Sequence, residues 1–492
     1  MSLVKKYDST TLLRWMIVIA ILVRLITLGL YPVNDTTEAR YAEIARKMFE
    51  LNDWITPWFD YGVPFWGKPP MSTWLSAASF HIFGVNEFAA RLPHFLTALL
   101  ISWLVWDWLK QKSIREATIA VALIWIAPVF YISSGAVMMD MTLTAGIVLA
   151  MRGFWLGLYG DEVQRRRERW LLFIGLSVGL LCKGPIVLVL AGLPIFFWTI
   201  ATRNITFVWK RLPWLSGSIL MILLTVPWYW MAELKTPGFL DYFIVGEHWK
   251  RFTVAGWTGD RYGNAHAFVR GSIWFFAVPA CVTWAITLPV LAYGRNKIGV
   301  LLQSNNISST IISADNQLNN SWNLYLLLWG FMPCLFFTLS GNILWTYVLP
   351  GIPALAMCLA GWLIIDNRIQ RTNSIISFGL LITTLGFSGF LIKQDLTDNW
   401  KNTKSLIKHY QMLNTQHEGL IFLGGRPYSA AFYSDGKAEN AKDPSDLAKR
   451  LNQSPAFVAL RPRELNNLPP ELQARLYKKG FYNEYQLLSM HK

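Results

Sequence analysis

Eleven apolar stretches, most of them close to the length of a bilayer crossing, constrain this chain more than any other feature. They fall at 11–30, 92–109, 116–133, 140–158, 170–182, 184–200, 213–231, 271–293, 322–339, 345–365 and 374–392. About 20 apolar residues in a helix cross a hydrocarbon core. Inside lipid every backbone polar group must be satisfied, so such stretches read as membrane-spanning helices. Some are short, and Gly184-Pro185 parts two of them, so the expected fold is an α-helical polytopic membrane protein with about 11–13 transmembrane helices. Only 15% of the residues are charged and 53% are hydrophobic, against about 25% charged in a soluble domain. That excludes an ordinary cytosolic enzyme and a disordered or collagen-like chain. The 25 Trp and 29 Phe suit the aromatic belts of a bilayer. Cys182, Cys281, Cys334 and Cys358 lie in or beside apolar runs without a C-x-x-C pair, and read as buried thiols rather than a disulfide or metal framework.

A formal charge of +15 first suggests nucleic acid, but its placement gives membrane topology instead. If the N-terminus is cytoplasmic, every second connection is basic: Lys5 and Lys6, then Lys110, Lys112 and Arg115, then Arg165, Arg166, Arg167 and Arg169. Arg203, Lys210 and Arg211 come next, then Arg295 and Lys297, and finally Arg368 and Arg371. The connections near 133–137 and 340–342 carry no charge. This is the positive-inside pattern. The partner it indicates is a lipid bilayer, with no nucleic acid. Lys5 and Lys6 precede the first stretch, no small-residue cleavage site follows it, and it reads as a retained span. An odd number of spans then puts the C-terminal segment on the outer side.

Two segments expected outside, 31–91 and 232–270, are long and rich in Trp, Tyr, Pro and mixed charge, so they are expected to fold. The expected division is a transmembrane domain, 1–394, followed by a soluble domain, 395–492. In the latter, helices at 400–412, 444–451 and 464–477 alternate with strands at 419–424, 456–460 and 481–489, a small α/β domain.

The chemistry-bearing residues collect at the expected outer face. Asp35 either N-caps a helix starting near Thr36, with Glu38 at its third position, or stands as a reactive acid. That helix is amphipathic and suits a place at the interface, presenting carboxylates to lipid headgroups. Lys68, before Pro69-Pro70, is held in a stiff extended segment among aromatics, and is either an interfacial lysine or a phosphate grip. Asp140 heads a span, as an N-cap or as an acid facing a polar cavity. Lys183 lies between two spans, where it either snorkels or lines an anionic site. Glu247-His-Trp-Lys-Arg251 concentrates cations, either solvated or gripping phosphate. Glu247, His248 and His266 offer a divalent metal site as an alternative, without a supporting spacing; no cofactor is otherwise indicated. Tyr347 enters a span as a belt residue or as a hydrogen-bond donor to phosphate.

Asp35-Thr-Thr-Glu-Ala-Arg-Tyr-Ala-Glu-Ile-Ala-Arg-Lys-Met48, Gly67-Lys-Pro-Pro70, Thr73-Trp74, Phe83-Gly84 and Arg91-Leu-Pro93 carry a resemblance. Asp140, Lys183-Gly-Pro185, Glu247-His248, Arg251-Phe252 and Thr346-Tyr-Val-Leu-Pro350 continue it. Across nearly the whole chain the sequence resembles the polyprenyl-phosphate-sugar-dependent membrane glycosyltransferases of the GT-C class. Within them it is most similar to bacterial aminoarabinose transferases and their protein-mannosyltransferase relatives. It departs from them at Thr37, Gly67 and Ile343.

The resemblance implies catalytic acids at Asp35 and Asp140, and lipid-phosphate contacts from Lys68 and Tyr347. Arg251 and His266 are expected in the same site, with Lys183, His248 and Glu38 as further substrate contacts. It implies an inverting transfer of a sugar from a polyprenyl (undecaprenyl) phosphate donor to an acceptor at the periplasmic face, lipid A or another cell-envelope glycolipid. The implied setting is the bacterial inner membrane, with the C-terminal domain periplasmic. A protein hydroxyl as acceptor, a lipid or solute transporter without chemistry, and a lipid-sugar binder without activity are the alternatives.

Overall fold

Each of the eleven apolar stretches falls on helix in the computed structural model, which describes residues 9–254, 257–262, 268–292, 314–364, 369–397 and 400–491. Expectations that rest on Lys5, Lys6, His266, Arg295, Lys297 and Arg368 lie outside these residues. Among the described residues six helices are long and apolar enough to cross a membrane: Ser9–Thr27, Glu87–Lys110, Met139–Tyr159, Trp214–Lys235, Trp345–Ile364 and Gln370–Leu396. Ile273–Ala280 and Val282–Leu291, bent by 67°, add a seventh if taken as one span. The other apolar stretches also form helices, but these are shorter, as in Ile186–Ala201, or carry polar ends, as in Glu162–Lys183 with its four arginines. The chain is a multi-pass membrane protein.

It forms two compact units. The first holds the N-terminal helix, Pro64–Ser72 and Leu92–Phe387. Its centre is a hairpin of Met139–Tyr159 and Glu162–Lys183. Asp161 caps the second helix by accepting from the Gln164 amide at 2.8 Å. The two helices touch backbone to backbone. A Cβ on Gly153 would stand 2.2 Å from the Leu172 nitrogen, and one on Gly175 would stand 2.4 Å from the Ala150 nitrogen. Small residues permit such an approach, and packing rather than hydrophobicity holds helices together in lipid. Towards the arginine-bearing end of the hairpin, buried Arg152 binds Glu168 at 2.9 Å, Asp107 at 2.7 Å and the Leu104 carbonyl at 3.0 Å. The opposite end therefore brings Asp140, in the first turn of one helix, beside Lys183, in the last turn of the next.

A second buried arginine serves a helix break. Pro128 holds Ala127 extended (ψ 116°) between Ile114–Ile126 and Pro128–Ser133. The last carbonyls of the short helix, on Tyr131 and Ile132, accept from Arg24 at 2.9 and 3.0 Å. Arg24 thereby adds to the Ser134 hydroxyl and the Gly135 amide as donors to this helix end.

The second unit combines Leu28–Val63 and Thr73–Arg91 with Ser388–Lys492. Its five-stranded sheet has the order 439–441, 419–423, 456–460, 485–489, 477–482. The first three strands are parallel and the last two form an antiparallel hairpin. The strands at 419–423 and 456–460 and the helices Lys404–Leu413 and Pro444–Gln453 match expectation. The expected helix at 464–477 does not form as one element. Pro469-Pro470 divides the segment into the short turns Pro462–Asn466 and Pro470–Gln473. The expected strand at 481–489 is instead the second half of a hairpin, turned at Asn483 with φ +51°.

The helix Thr37–Leu51 starts as expected but packs differently. Its N-cap position is Thr36, and no side chain caps it. Glu43, Arg46 and Lys47 are buried rather than presented to lipid headgroups. Glu43 pairs with Arg46 at 2.6 Å and with Lys47 at 3.0 Å, because this face meets the helix Tyr428–Tyr433 instead of headgroups. Arg91, fully buried, gathers the preceding turn through the carbonyls of Leu28, Tyr31 and Pro32 and both oxygens of Glu38.

The hairpin seam gives the first test. Gly153→Leu should destabilise the detergent-solubilised protein by about 1–3 kcal/mol or more, since no side chain can move aside for it. Gly192→Leu, with nothing within 4 Å of its Cβ position, should not. Thermal unfolding midpoints of the two variants check this, and equal midpoints would remove the seam from the explanation of the fold.

Candidate active site

A glycine makes the first close contact of the site possible. Gly184 follows Lys183 with φ +78°, a left-handed conformation that ends the helix. A Cβ here would lie 2.5 Å from the Phe243 ring and 3.0 Å from His248. The segment Asp241–Lys250, wound as a π-helix, can therefore lie directly against the helix end. His248 places Nε2 3.1 Å from the Lys183 carbonyl and Nδ1 2.8 Å from the Phe243 carbonyl. Burial pushes the His248 pKa down, against the two carbonyls that favour its protonated ring.

Three cations meet around this junction. Lys183 contacts Asp140 at 2.6 Å, with its ammonium 4.2 Å from the centre of the Tyr347 ring. Lys68 contacts Glu247 at 2.7 Å and donates to the Gly67 carbonyl at 2.5 Å. Arg251 reaches both Glu247 oxygens, at 2.9 and 3.1 Å, and Asp260 at 3.5 Å. The Lys68 segment is fixed from both sides. The Trp66 amide donates to the Tyr262 hydroxyl at 2.9 Å, which donates to the Pro64 carbonyl at 2.8 Å, while the Trp66 indole donates to Thr236 at 3.1 Å. Asn342 holds the backbone carbonyl of Arg251 at 2.5 Å. Lys68, Lys183, Glu247, His248, Arg251, Asn342 and Tyr347 line a cavity of about 80 Å³.

Glu247 is the hub. Its side chain is 2% exposed, whereas those of Lys68 and Arg251 are 16% and 23% exposed. Burial alone would raise its pKa, but Lys68 and Arg251 outweigh burial and hold it at about 2. The cluster thus carries three cations and three carboxylates, Glu247, Asp140 and Asp260. The exposed edges of the cations face the cavity and can attract an anionic oxygen.

Of the residues expected from the sequence, Lys68, Asp140, Lys183, His248, Arg251 and Tyr347 come together in this first unit. Lys183 is paired rather than snorkelling. Asp35 and Glu38 belong to the second unit. Asp35, which the sequence offers as a helix cap or as a reactive acid, does not cap: it accepts from the Ser429 amide at 3.1 Å and from the Ser429 hydroxyl. Burial raises its pKa against these two bonds. Glu38 is engaged by Arg91 at 2.8 and 2.9 Å. Among the described residues no three His, Cys, Asp or Glu side chains gather to hold a metal. Glu247 faces two cations and His248 faces two carbonyls, so neither is arranged as a ligand; His266 lies outside the described residues. Glu247 as the bridge between cations, Asp260 and Asn342 were not singled out for these roles. The one signal for the first was the spacing of Glu247 and Arg251, four apart on a helix.

The bridge has a pH signature. The pKa of Glu247 is depressed from 4.5 to about 2, so its stabilisation is fully present above about pH 4.5 and is lost as pH falls towards 2. Glu247→Gln should cost about 3–5 kcal/mol near neutral pH, leaving Lys68 and Arg251 without their shared counter-charge. The gap in unfolding midpoint between the wild type and this variant should narrow across that acid window. A constant gap would show that the ionised bridge is not what the variant loses.

The chain is similar to proteins already known. Residues 9–243 match the family profile of dolichyl-phosphate-mannose-protein mannosyltransferases. The undecaprenyl phosphate-alpha-4-amino-4-deoxy-L-arabinose arabinosyl transferase of Enterobacter sp. (strain 638) is 30% identical over 334 residues, 66% of this chain and 54% of that protein. The protein of the same name from Erwinia tasmaniensis is 30% identical over 347 residues, 68% of this chain and 56% of its own length. The chain thus spans a little over half the length of the curated relatives it matches. The crystal structure of ArnT from Cupriavidus metallidurans bound to undecaprenyl phosphate superposes with a TM-score of 0.79 at 18% identity, covering 98% of each chain. Its apo form gives 0.77 over 97% of each chain. The likeness to these two structures is one of fold.

Proposed function

We propose, for a chain that belongs to the GT-C class of membrane glycosyltransferases, that it transfers a sugar from a polyprenyl phosphate to a glycolipid acceptor such as lipid A. The observation that carries this reading is the cluster of Lys68, Lys183 and Arg251 with Tyr347 around one cavity in the membrane unit. A greasy carrier dissolves in the bilayer, so the site that takes its phosphate must belong to a membrane-embedded unit. The relatives' names specify an undecaprenyl-phosphate-linked aminoarabinose, and one structure of this fold holds undecaprenyl phosphate.

In this reading the acceptor oxygen attacks the anomeric carbon from the face opposite the phosphate. The bond from that carbon to the phosphate oxygen breaks, its electron pair leaves with polyprenyl phosphate, and the configuration inverts. Negative charge grows on the leaving phosphate, and preorganised cations stabilise it more as it grows. Lys68 and Arg251 supply this through their exposed edges while remaining bound to Glu247. Asp140 fixes the position of the Lys183 ammonium. The proton of a hydroxyl acceptor goes to Asp35, whose burial raises its pKa and strengthens it as a base. An acceptor that is itself a phosphate needs no base.

Transfer from a radiolabelled undecaprenyl-phosphate sugar to lipid A tests the reading, with a hydroxyl-bearing peptide as the parallel acceptor. Lys68→Ala should weaken donor use, whereas Asp35→Asn should lower turnover about 10²-fold or more with donor affinity unchanged. Wild-type turnover in Asp35→Asn removes its role, and unchanged donor affinity in Lys68→Ala removes the lysine from the phosphate site. Labelled peptide in place of lipid A would redirect the proposal to protein O-glycosylation. Donor movement without any labelled product would indicate a transporter.

The proposed setting is a bacterial inner membrane, with the N-terminus cytoplasmic and the cation cluster and C-terminal residues periplasmic. Lys110, Lys112, Arg115 and the run Arg165–Arg169 support this orientation by the positive-inside rule. The Glu162–Lys183 helix carries that arginine run at one end and Lys183 at the other. In intact cells an impermeant thiol reagent should label Lys250→Cys and Gln416→Cys but reach Arg166→Cys only after permeabilisation. The reverse pattern would invert the topology.

A further inference from the structure

The arginine-bearing end of the central hairpin carries more cations than its acids can match. Asp161 caps the Glu162–Lys183 helix, Glu162 pairs with Arg166 at 2.5 Å, and Glu168 pairs with Arg152 at 2.9 Å and Arg167 at 2.8 Å. Asp107, which reaches this cluster through Arg152, also holds Lys110 at 2.7 Å. Arg165, Arg169, Lys210 and Arg211 make no ion pair and no side-chain hydrogen bond among the described residues. Helix packing brings them to one junction. Arg165 stands one turn before Arg169 on the same helix face. A Cβ on Gly157 would lie 2.9 Å from Leu212 and 3.0 Å from the Arg169 Cβ, so Arg169 adjoins the chain at Lys210-Arg-Leu212. One turn further on, the Phe173 and Trp214 rings meet edge to face at 6.1 Å, which packs the start of Trp214–Lys235 along the Glu162–Lys183 helix. Trp209 stacks on Trp214 at 5.9 Å, and the Arg211 guanidinium lies 5.1 Å from the centre of the Phe207 ring. The Arg169 Nε is buried at this junction with no acceptor among the described residues. From the same end Leu215, Ile219, Ile222 and Val226 run along Trp214–Lys235 as an exposed apolar stripe.

We infer that this junction binds an anionic phospholipid of the bilayer. Arg169 holds the phosphate, with Arg165, Lys210 and Arg211 around it, and an acyl chain lies on the stripe from Leu215 to Val226. Guanidinium forks match phosphate oxygens, and a guanidinium is weakly enough hydrated to exchange water for them at an interface. A phosphate oxygen also gives the buried Nε the acceptor it lacks, which a buried donor otherwise forgoes at a cost. Basic pockets beside transmembrane helices hold anionic headgroups in this way. The occupant is an anion because four cations lack counter-charges. It is an amphiphile because those cations continue into an apolar stripe. A free phosphate meets only the first requirement, and a choline headgroup brings a cation of its own to a site already rich in them. The Trp209–Trp214 pair fits the same depth, since indoles settle at the membrane interface. The site lies at the end of the hairpin opposite Asp140 and Lys183, so it stands apart from the proposed sugar transfer.

Unfolding midpoints of the full-length detergent-solubilised protein at rising mole fractions of dioleoylphosphatidylglycerol test the site without any transfer reaction. A ligand that binds the folded state raises the midpoint in a concentration-dependent way. Dioleoylphosphatidylcholine, with the same chains, should raise it less, and inorganic phosphate should not raise it. Arg169→Gln should move the phosphatidylglycerol dependence to about tenfold more lipid, by loss of one charged hydrogen bond. Lys210→Gln, at an exposed position, should move it in the same direction and gives the readout if Arg169→Gln does not fold. Arg166→Gln removes the same charge from the same helix, but from a residue already paired with Glu162, and should keep the wild-type dependence. Equal midpoints in the two lipids, a rise with inorganic phosphate as large as that with phosphatidylglycerol, or wild-type dependence in both Arg169→Gln and Lys210→Gln would overturn the site. So would a shift in Arg166→Gln as large as theirs, which would show attraction by net charge alone.

Discussion

Lys68 and Arg251 can stand together only because Glu247 stands between them. Two cations converging on a small cavity in the membrane unit would repel one another strongly where water is scarce. A buried carboxylate in contact with both removes that cost before any ligand arrives. It also sets how a ligand can bind. Glu247 is enclosed and held as an anion, so it does not leave; an incoming phosphate must share the cations through their exposed edges. Sharing limits ground-state affinity but loses nothing as charge builds on a departing phosphate. That is the direction in which binding energy accelerates a reaction instead of trapping its substrate.

The second pair, Asp140 with Lys183, depends on helix packing instead. These residues are 43 apart in sequence, and what joins them is the glycine seam between Met139–Tyr159 and Glu162–Lys183. Where that hairpin ends, Gly184 makes room for Phe243 and His248, and His248 reaches the carbonyl left unpaired by the end of the helix. The π-helical segment that carries Glu247, with Arg251 directly after it, is therefore docked by the same feature that fixes Lys183. The Lys68–Glu247 and Lys183–Asp140 pairs are positioned by one junction.

Much of this was legible in sequence because hydrocarbon is a strict solvent. Runs near 20 apolar residues had to become helices, and polar side chains beside their ends had to find partners, which is how Asp140 and Lys183 stood out; Lys68 stood out by its stiff segment before Pro69-Pro70, and Arg251 by the cations gathered around it. The pairing was less legible. Glu247 reads as one charge among several in Glu247-His-Trp-Lys-Arg251, and only the fold shows that Lys68, 179 residues away, shares it. Local rules failed where tertiary partners competed with them. Asp35 sits at a capping position beside Thr36, yet its carboxylate turns to Ser429. Glu43, Arg46 and Lys47 have the spacing of a solvated helix face but neutralise one another in the interior. The Pro469-Pro470 break was visible in the sequence, but helical periodicity across 464–477 obscured it.

The partners of each acid also decide what it can do. Glu38 faces Arg91, Glu43 faces Arg46, Asp140 faces Lys183, and Glu247 faces Lys68 and Arg251. Taking up a proton at any of these would weaken an ion pair with a cation in direct contact. Asp35 differs, since its hydrogen-bond donors are the amide and hydroxyl of Ser429. The Ser429 oxygen also lies 3.0 Å from the Thr403 hydroxyl. When Asp35 takes up a proton, Ser429 can turn its own proton to Thr403 and accept from the new carboxylic acid, leaving no donor stranded. Burial favours that neutral form and outweighs the hydrogen bonds and the attraction of Lys401, so the carboxylate gains a proton readily. A residue with these partners is built to exchange protons, whereas the others are built to hold cations in place.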